Sequence, residues 1–280
     1  MLIAVFFVVE AAGGILTNSL ALLSDAGHML TDVVGLGMAL AAIQLANRYE
    51  RRAHGGHHTF GLYRLEILAA FVNALLLVGV ALYVLVEAVR RLTGEPDVLG
   101  LPMLVIAVVG LAVNLVAFAL LREGASESLN VQGAYLEVVA DSLGSVGVIV
   151  AAVLLEVFGW TWVDPVVGAG IGMWILPRTW RLGRQSVRIL LQAAPPEVDL
   201  AALRGDLEGL AGVIGVHDLH VWTLTSDMES ATAHLVVGVD ADTHAVLDQA
   251  REVLQVRHRI AHATLQVEPV DHRGCDELAW

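Results

Sequence analysis

Ser24-Asp25-Ala26-Gly27-His28-Met29-Leu30-Thr31-Asp32 opens a strongly apolar run that continues to Ala46. A helix needs about 20 apolar residues to cross a bilayer, and this run supplies them. His28 and Asp32 are four residues apart, so they project from one helix face. Glu137-Val138-Val139-Ala140-Asp141 repeats the spacing at the start of another apolar run. Two helices that each offer such a pair can enclose one four-ligand site. One imidazole nitrogen and three carboxylates suit a divalent metal such as zinc. The bland alternative is a hydrogen-bonded polar pair at a helix end. A charge at mid-bilayer costs at least about 2.5–3.5 kcal/mol, and Asn18 and Asp25 lie close by in sequence, so the bland reading is the more expensive one.

The composition agrees with a membrane protein. Of 280 residues, 56% are hydrophobic, and the mean hydropathy is +0.69. Charges are sparse in the first two thirds and dense in the last, which suggests a membrane part followed by a soluble part. The net charge of −13 argues against a nucleic-acid partner. All 16 basic residues are arginine. The single cysteine, Cys275, excludes an intrachain disulfide framework and a CxxC metal site. Met1 runs straight into apolar sequence without a basic n-region, so no signal peptide is expected. A full-length relative is expected to carry a few residues before the first span.

Six candidate spans follow: Leu2–Leu23, Ala26–Ala46, Ile67–Val89, Leu101–Leu121, Leu136–Phe158 and Val163–Val187. Pro177 interrupts the last, and Arg178, Arg181, Arg184 and Arg188 mark its exit. Arg48, Arg51, Arg52 and Arg64 lie between spans two and three, against only Arg90 and Arg91 on the opposite side. The positive-inside rule then puts both termini in the cytoplasm. After Pro195-Pro196, Leu200, Leu203, Leu207 and Leu210 recur at helical spacing behind Asp199, a plausible N-cap. Strands are expected at His217–Thr225 and Ala231–Val239 with a turn at Ser226-Asp227, a helix at Thr243–Val256, and a strand at Ala263–Val267. The fold class is thus an all-α six-helix transmembrane domain over residues 1–190 and a small α+β domain of order αββαβ over 191–270. A tail covers 271–280.

Other polar residues carry weaker readings. His54-Gly55-Gly56-His57-His58 could collect metal near an entrance, or be a solvated loop. Glu87 and Glu156 read as interface residues, and Glu10 stays open. Gly35, Gly37, Gly144 and Gly147 would allow close helix approach, or ordinary packing. In the soluble part, His217 and His220 flank one strand, His234 lies on the next, and His262 and Glu268 bracket the third. Histidines on neighbouring strands can share a metal, whereas a single one is more often structural. No HExxH, P-loop or GxSxG is present, so neither hydrolysis nor ATP-driven pumping has visible machinery and no enzyme is expected.

The residues resemble the cation diffusion facilitator family, especially its bacterial cobalt–zinc–cadmium branch. The likeness rests on Ser19–His28, Thr59-Phe60-Gly61, Arg64-Leu65-Glu66, Gly133-Ala134-Tyr135-Leu136, Asp141–Gly147, His217–Trp222 and His262–Glu268. The resemblance implies a six-span homodimer of the bacterial inner membrane with a ferredoxin-like cytoplasmic domain. It implies metal export coupled to inward proton movement. The family's intramembrane ligands fall on His28, Asp32, Glu137 and Asp141, and its cytoplasmic ligands on His217, His234, His262 and Glu268. Of the family's first-loop site, His58 alone matches. Many zinc-dedicated members have His where Glu137 stands, and the histidine-rich loop between spans four and five is absent.

The resulting expectation is a proton-coupled exporter of divalent metal, chiefly zinc and also cadmium and cobalt, working by alternating access. Zinc is cargo and also a regulatory ion, and no organic cofactor is expected. Protons compete for the ligands, since metal binding needs neutral His and ionised carboxylates. Its partners are metal ions, protons, lipid and a second copy, without nucleic acid. A negative site with no arginine beside it favours a cation. The rivals are a manganese, iron or nickel carrier of the same architecture, a membrane-anchored metal sensor and, more distantly, a membrane metalloenzyme lacking a general base.

Overall fold

The computed structural model describes residues 2–50, 58–94, 97–122, 129–226 and 228–271. His54 and His57, Asp227 of the expected turn, and Cys275 with the tail beyond Asp271 lie outside the described residues. The chain divides into two units. The first comprises Met1–Ala41 and Ala69–Gly183, and the second Ala42–Leu68 and Arg184–Trp280.

Among the described residues, six helices precede the C-terminal domain: α1 (Leu2–Thr17), α2 (Leu20–Glu50), α3 (Arg64–Leu92), α4 (Gly100–Leu121), α5 (Leu129–Phe158) and α6 (Val163–Leu190). Among the described residues, four stretches are long and apolar enough to cross a membrane: Leu20–Ala46, Arg64–Leu92, Gly100–Leu121 and Tyr135–Phe158. Helix α1 is apolar but short, and the arginines of α6 interrupt its apolar character. Pro177 sits inside α6 without ending it.

The first two helices differ from the expected spans. Expected Leu2–Leu23 stops at Thr17, and α2 starts at Leu20 rather than Ala26. The cause is local and distant together. Asn18 takes a left-handed φ of 54°, a conformation asparagine tolerates better than most residues. From the head of α6, Asp164 then accepts hydrogen bonds from Leu20 N (2.7 Å) and Ala21 N (3.1 Å). Those are orphan donors of a new helix start. The stretch around His28 therefore lies inside α2, not at its head.

Helix α4 packs on α5 and on α1. Its Met103 and Ala107 meet Val148, Ala151, Ala152 and Leu155 of α5, which recur at helical spacing along one face. Leu20 of α2 packs with Val84 and Ala88 of α3. Of the glycines singled out above, Gly35 faces a close neighbour: a Cβ there would lie 2.6 Å from the Asn73 side chain. Gly37 faces open space.

The C-terminal domain runs α7 (Leu200–Glu208), β1 (Val213–Thr225), β2 (Met228–Val237), α8 (Thr243–Glu252, continued by a π turn to Arg257) and β3 (His262–Pro269). This is the expected order αββαβ. Asp199 caps α7 by accepting from Ala201 N and Ala202 N, and Asp242 does the same for α8. The sheet order is β1-β2-β3, with β1 antiparallel and β3 parallel to β2. Central β2 buries Ala231, Ala233, Leu235 and Val237 on one face, as the two-residue period of a strand requires. Leu203, Leu207, Leu254 and Ile260 close the core from the helices and the loop before β3.

Candidate metal centre

Helix α2 contributes His28 and Asp32, and α5 contributes Glu137 and Asp141. The Nε2 atom of His28 lies 3.6 Å from Asp32 Oδ2, 3.4 Å from Glu137 Oε1 and 3.8 Å from Asp141 Oδ1. Ligands held at zinc distances in a tetrahedron stand about 3.3–3.6 Å apart. His28 Nε2 therefore stands close to that spacing from each of the three carboxylates, and His28, Asp32 and Glu137 offer ligand atoms that all lie within 4.8 Å of one another. His28 is mostly buried and the carboxylates are partly buried. A cavity of about 340 Å³ opens beside them, lined by His28, Asp141, Gly144, Gly170 and Trp174 among others.

Two neighbours were missed by sequence reasoning. Arg178 of α6 donates to Glu137 Oε2. The expectation that no arginine lies beside the site is corrected by this contact. The signal was present, because Arg178 follows Pro177 inside an apolar helix, but only the packing of α6 against α5 reveals its partner. Glu10 of α1, left open above, is buried, as is Asp25, one turn before His28. Glu87 is paired with Arg91, whose guanidinium also donates to the Asn18 side chain at 3.0 Å.

The C-terminal domain holds a second cluster. The register of β1 and β2 sets His217 opposite His234, with ring centroids 4.9 Å apart. From β3, Glu268 reaches both: Oε2 lies 3.2 Å from His217 Nε2, and Oε1 lies 2.6 Å from His234 Nδ1. Asp218 joins them, with Oδ2 3.9 Å from His217 Nδ1. Alternation would send consecutive strand residues to opposite faces. A bulge between His217 and His220, with Asp218 at φ 47°, turns its side chain back. His262 does not join the cluster. The parallel register sets it opposite Ser230, while His234 opposes Gln266, and its ring lies edge-on to Phe60. His58 lines a groove with His220 and Trp222. Outside the membrane helices, Asp206 of α7 is held below the ordinary carboxylate range by its hydrogen bond with His258, reinforced by Arg257.

The model of the cation efflux transmembrane domain matches residues 1–191. The model of the cation efflux protein's cytoplasmic domain matches residues 195–270. The chain belongs to the cation diffusion facilitator family. It is similar to the metal cation efflux system protein CzcD of Cupriavidus metallidurans, 47% identical over 94% of this chain and 82% of that protein. The cadmium, cobalt and zinc/H(+)-K(+) antiporter of Bacillus velezensis is 38% identical over 97% and 87% of the two chains. The zinc transporter ZitB of Escherichia coli is 42% identical over 97% and 86%. Among solved structures, the metal-bound C-terminal domain of a CzcD transporter aligns with 25% of this chain and 99% of its own, at 36% identity and a TM-score of 0.25. As a member of this family, the chain is a multi-pass membrane protein that exports metal cations, and it is not an enzyme.

Proposed function

We propose that His28, Asp32, Glu137 and Asp141 bind the transported ion, and that zinc is the chief cargo, with cadmium and cobalt also carried. One observation supports this above the others: three carboxylates from two helices stand 3.4–3.8 Å from a single imidazole nitrogen. The names of relatives similar over nearly the whole chain add cadmium, cobalt, zinc and proton exchange. The ion enters from the cytoplasm and exchanges water for the four side chains. The helices then rock to open the site outward. Protons compete for the same ligands, release the metal and reset the carrier.

The finer architecture belongs to the same proposal. Six spans fill residues 1–190, a ferredoxin-like domain fills 191–270, and a tail follows at 271–280. Both termini face the cytoplasm of a bacterial inner membrane, and two copies pair. In the cytoplasmic domain, His217, His234 and Glu268 hold a regulatory zinc; His262 stands outside that cluster, and His58 belongs to a separate loop site. A broader cargo that includes manganese, iron or nickel draws support from one feature: three of the four ligands are carboxylates, which accept larger ions than imidazole does.

Transport by the purified full-length protein in liposomes tests the site. The wild type moves zinc against a proton gradient, whereas Asp32→Ala and Asp141→Ala fail to do so while melting as folded proteins. A variant of either kind that transports at the parental rate removes these residues from the site.

A further inference from the structure

Glu137 divides its two oxygens between different partners. Oε1 faces His28 Nε2 at 3.4 Å, and Oε2 accepts from Arg178. An arginine stays charged at any physiological pH, so this guanidinium occupies, with a fixed positive charge, an oxygen that a metal would otherwise claim. Its side chain is 65% exposed, so packing within the protein does not hold it on Glu137. The helix around it is built unevenly. At its head, Asp164 accepts from Ser19 Oγ and from two backbone amides of α2, and Ser24 Oγ donates to Gly168 O. That half of α6 is tied to α2. Pro177 follows, and a proline inside a helix removes one backbone bond and favours a bend. Arg178 directly follows that proline.

We propose that Arg178 is a tethered competitor for the cargo: it occupies Glu137 while the site awaits an ion, and a divalent cation displaces it. This rests on the transport-site reading given above. Because Arg178 must be displaced, it weakens metal binding. By returning to Glu137 it speeds release, so it is a positioning residue that acts through Glu137 rather than touching the metal. A guanidinium that merely braced α6 against α5 would have the opposite signature, since its loss would loosen the site and weaken binding.

The test compares the full-length wild type with Arg178→Gln and Arg178→Lys. Zinc affinity measured by calorimetry should rise in Arg178→Gln by roughly two- to fivefold, the range set by an ion pair this exposed. Arg178→Lys, which keeps the charge, should fall between the two. In liposomes, KM and kcat for zinc should drop together in Arg178→Gln, because release slows. Zinc affinity that is unchanged or lower in Arg178→Gln overturns the proposal. One measurement needs no substitution. Modification of the wild type with an arginine-specific dicarbonyl, read at the peptide carrying Arg178 by mass spectrometry, should become faster when zinc is added. A rate indifferent to zinc also overturns the proposal. Failure of the transport-site reading would look different: Asp32→Ala and Asp141→Ala would then bind and carry zinc like the wild type.

Discussion

Gly168 of α6 packs directly on the start of α2. A Cβ at this position would lie 3.1 Å from Ala21 N, Leu20 C and Leu20 O. All three are backbone atoms in a fully buried turn, so none can rotate aside. Gly168→Ala therefore forces α6 back by a few tenths of an ångström. The retreat strains the hydrogen bonds from Ser19 Oγ (2.6 Å), Leu20 N (2.7 Å) and Ala21 N (3.1 Å) to Asp164, and that from Ser24 Oγ to Gly168 O (3.1 Å). Overpacking of this kind costs about 1–3 kcal/mol. Replacing Gly by Ala inside a helix returns roughly 0.5–1 kcal/mol. The net loss lies between about 0 and 2.5 kcal/mol, centred near 1 kcal/mol, which is a few degrees in Tm for a chain of this size. Gly170, two residues on, has nothing within 4 Å of an added Cβ. Gly170→Ala is thus the matched control and should melt no lower than the wild type. Tryptophan fluorescence during heating of the detergent-solubilised protein reads both variants. If Gly168→Ala melts with the wild type, or Gly170→Ala loses as much, close contact between α6 and α2 is not what makes the glycine necessary.

Two further outcomes follow from the same contacts. Glu137→His replaces a carboxylate that can bind through two oxygens by one directed nitrogen, so the ratio of zinc to cadmium transport under a fixed proton gradient should rise. Imidazole offers Arg178 no carboxylate to pair with, so the comparison belongs in an Arg178→Ala background, and a ratio that stays level or falls would detach Glu137 from metal choice. In the cytoplasmic domain, the depressed pKa of Asp206 makes its carboxylate stabilising above the ordinary value of about 3.9, and that contribution disappears as pH falls through the lower folded value. The Tm advantage of the wild type over Asp206→Asn should hold near neutrality and shrink in acid below about pH 4; an advantage independent of pH would contradict the pairing with His258 and Arg257.

Periodicity and spacing disclosed the local features. Apolar runs located α3, α4 and α6 within about three residues, whereas α5 starts at Leu129, ahead of the expected Leu136, and aspartates marked the heads of α7 and α8. The pairs His28/Asp32 and Glu137/Asp141 were visible because an i,i+4 spacing fixes a shared face whatever the fold does elsewhere. The misses depend on residues far apart in the chain. The break at Asn18 is held by Asp164, more than a hundred residues later, and no local signal separates Leu2–Leu23 into two helices. Arg178 looked like a residue at the membrane exit because its partner lies on another helix. Asp218 needed a bulge to turn it toward His217. His262 was legible as a candidate by type, but strand register, which sets it opposite Ser230, is decided by pairing and not by composition.

The charges of the centre explain why an arginine belongs beside a cation site. When Asp32, Glu137 and Asp141 are ionised, as metal binding requires, three negative charges surround one imidazole. Two like charges 4 Å apart repel by about 4 kcal/mol at an effective dielectric constant of 20. Without cargo, that repulsion pushes α2 and α5 apart at the point where they must converge. A guanidinium on Glu137 offsets part of it and leaves two negative charges uncompensated, which a divalent ion neutralises. On the reading proposed above, the ion takes over the stabilising role, and Arg178, whose side chain is 65% exposed, leaves Glu137 without giving up a buried packing site. A lysine at this position could supply the charge, but not the planar fork that grips a carboxylate. The arginine thus lets the centre be acidic enough to strip water from a divalent cation while lowering its unpaired charge between cycles, at the expense of tighter metal binding.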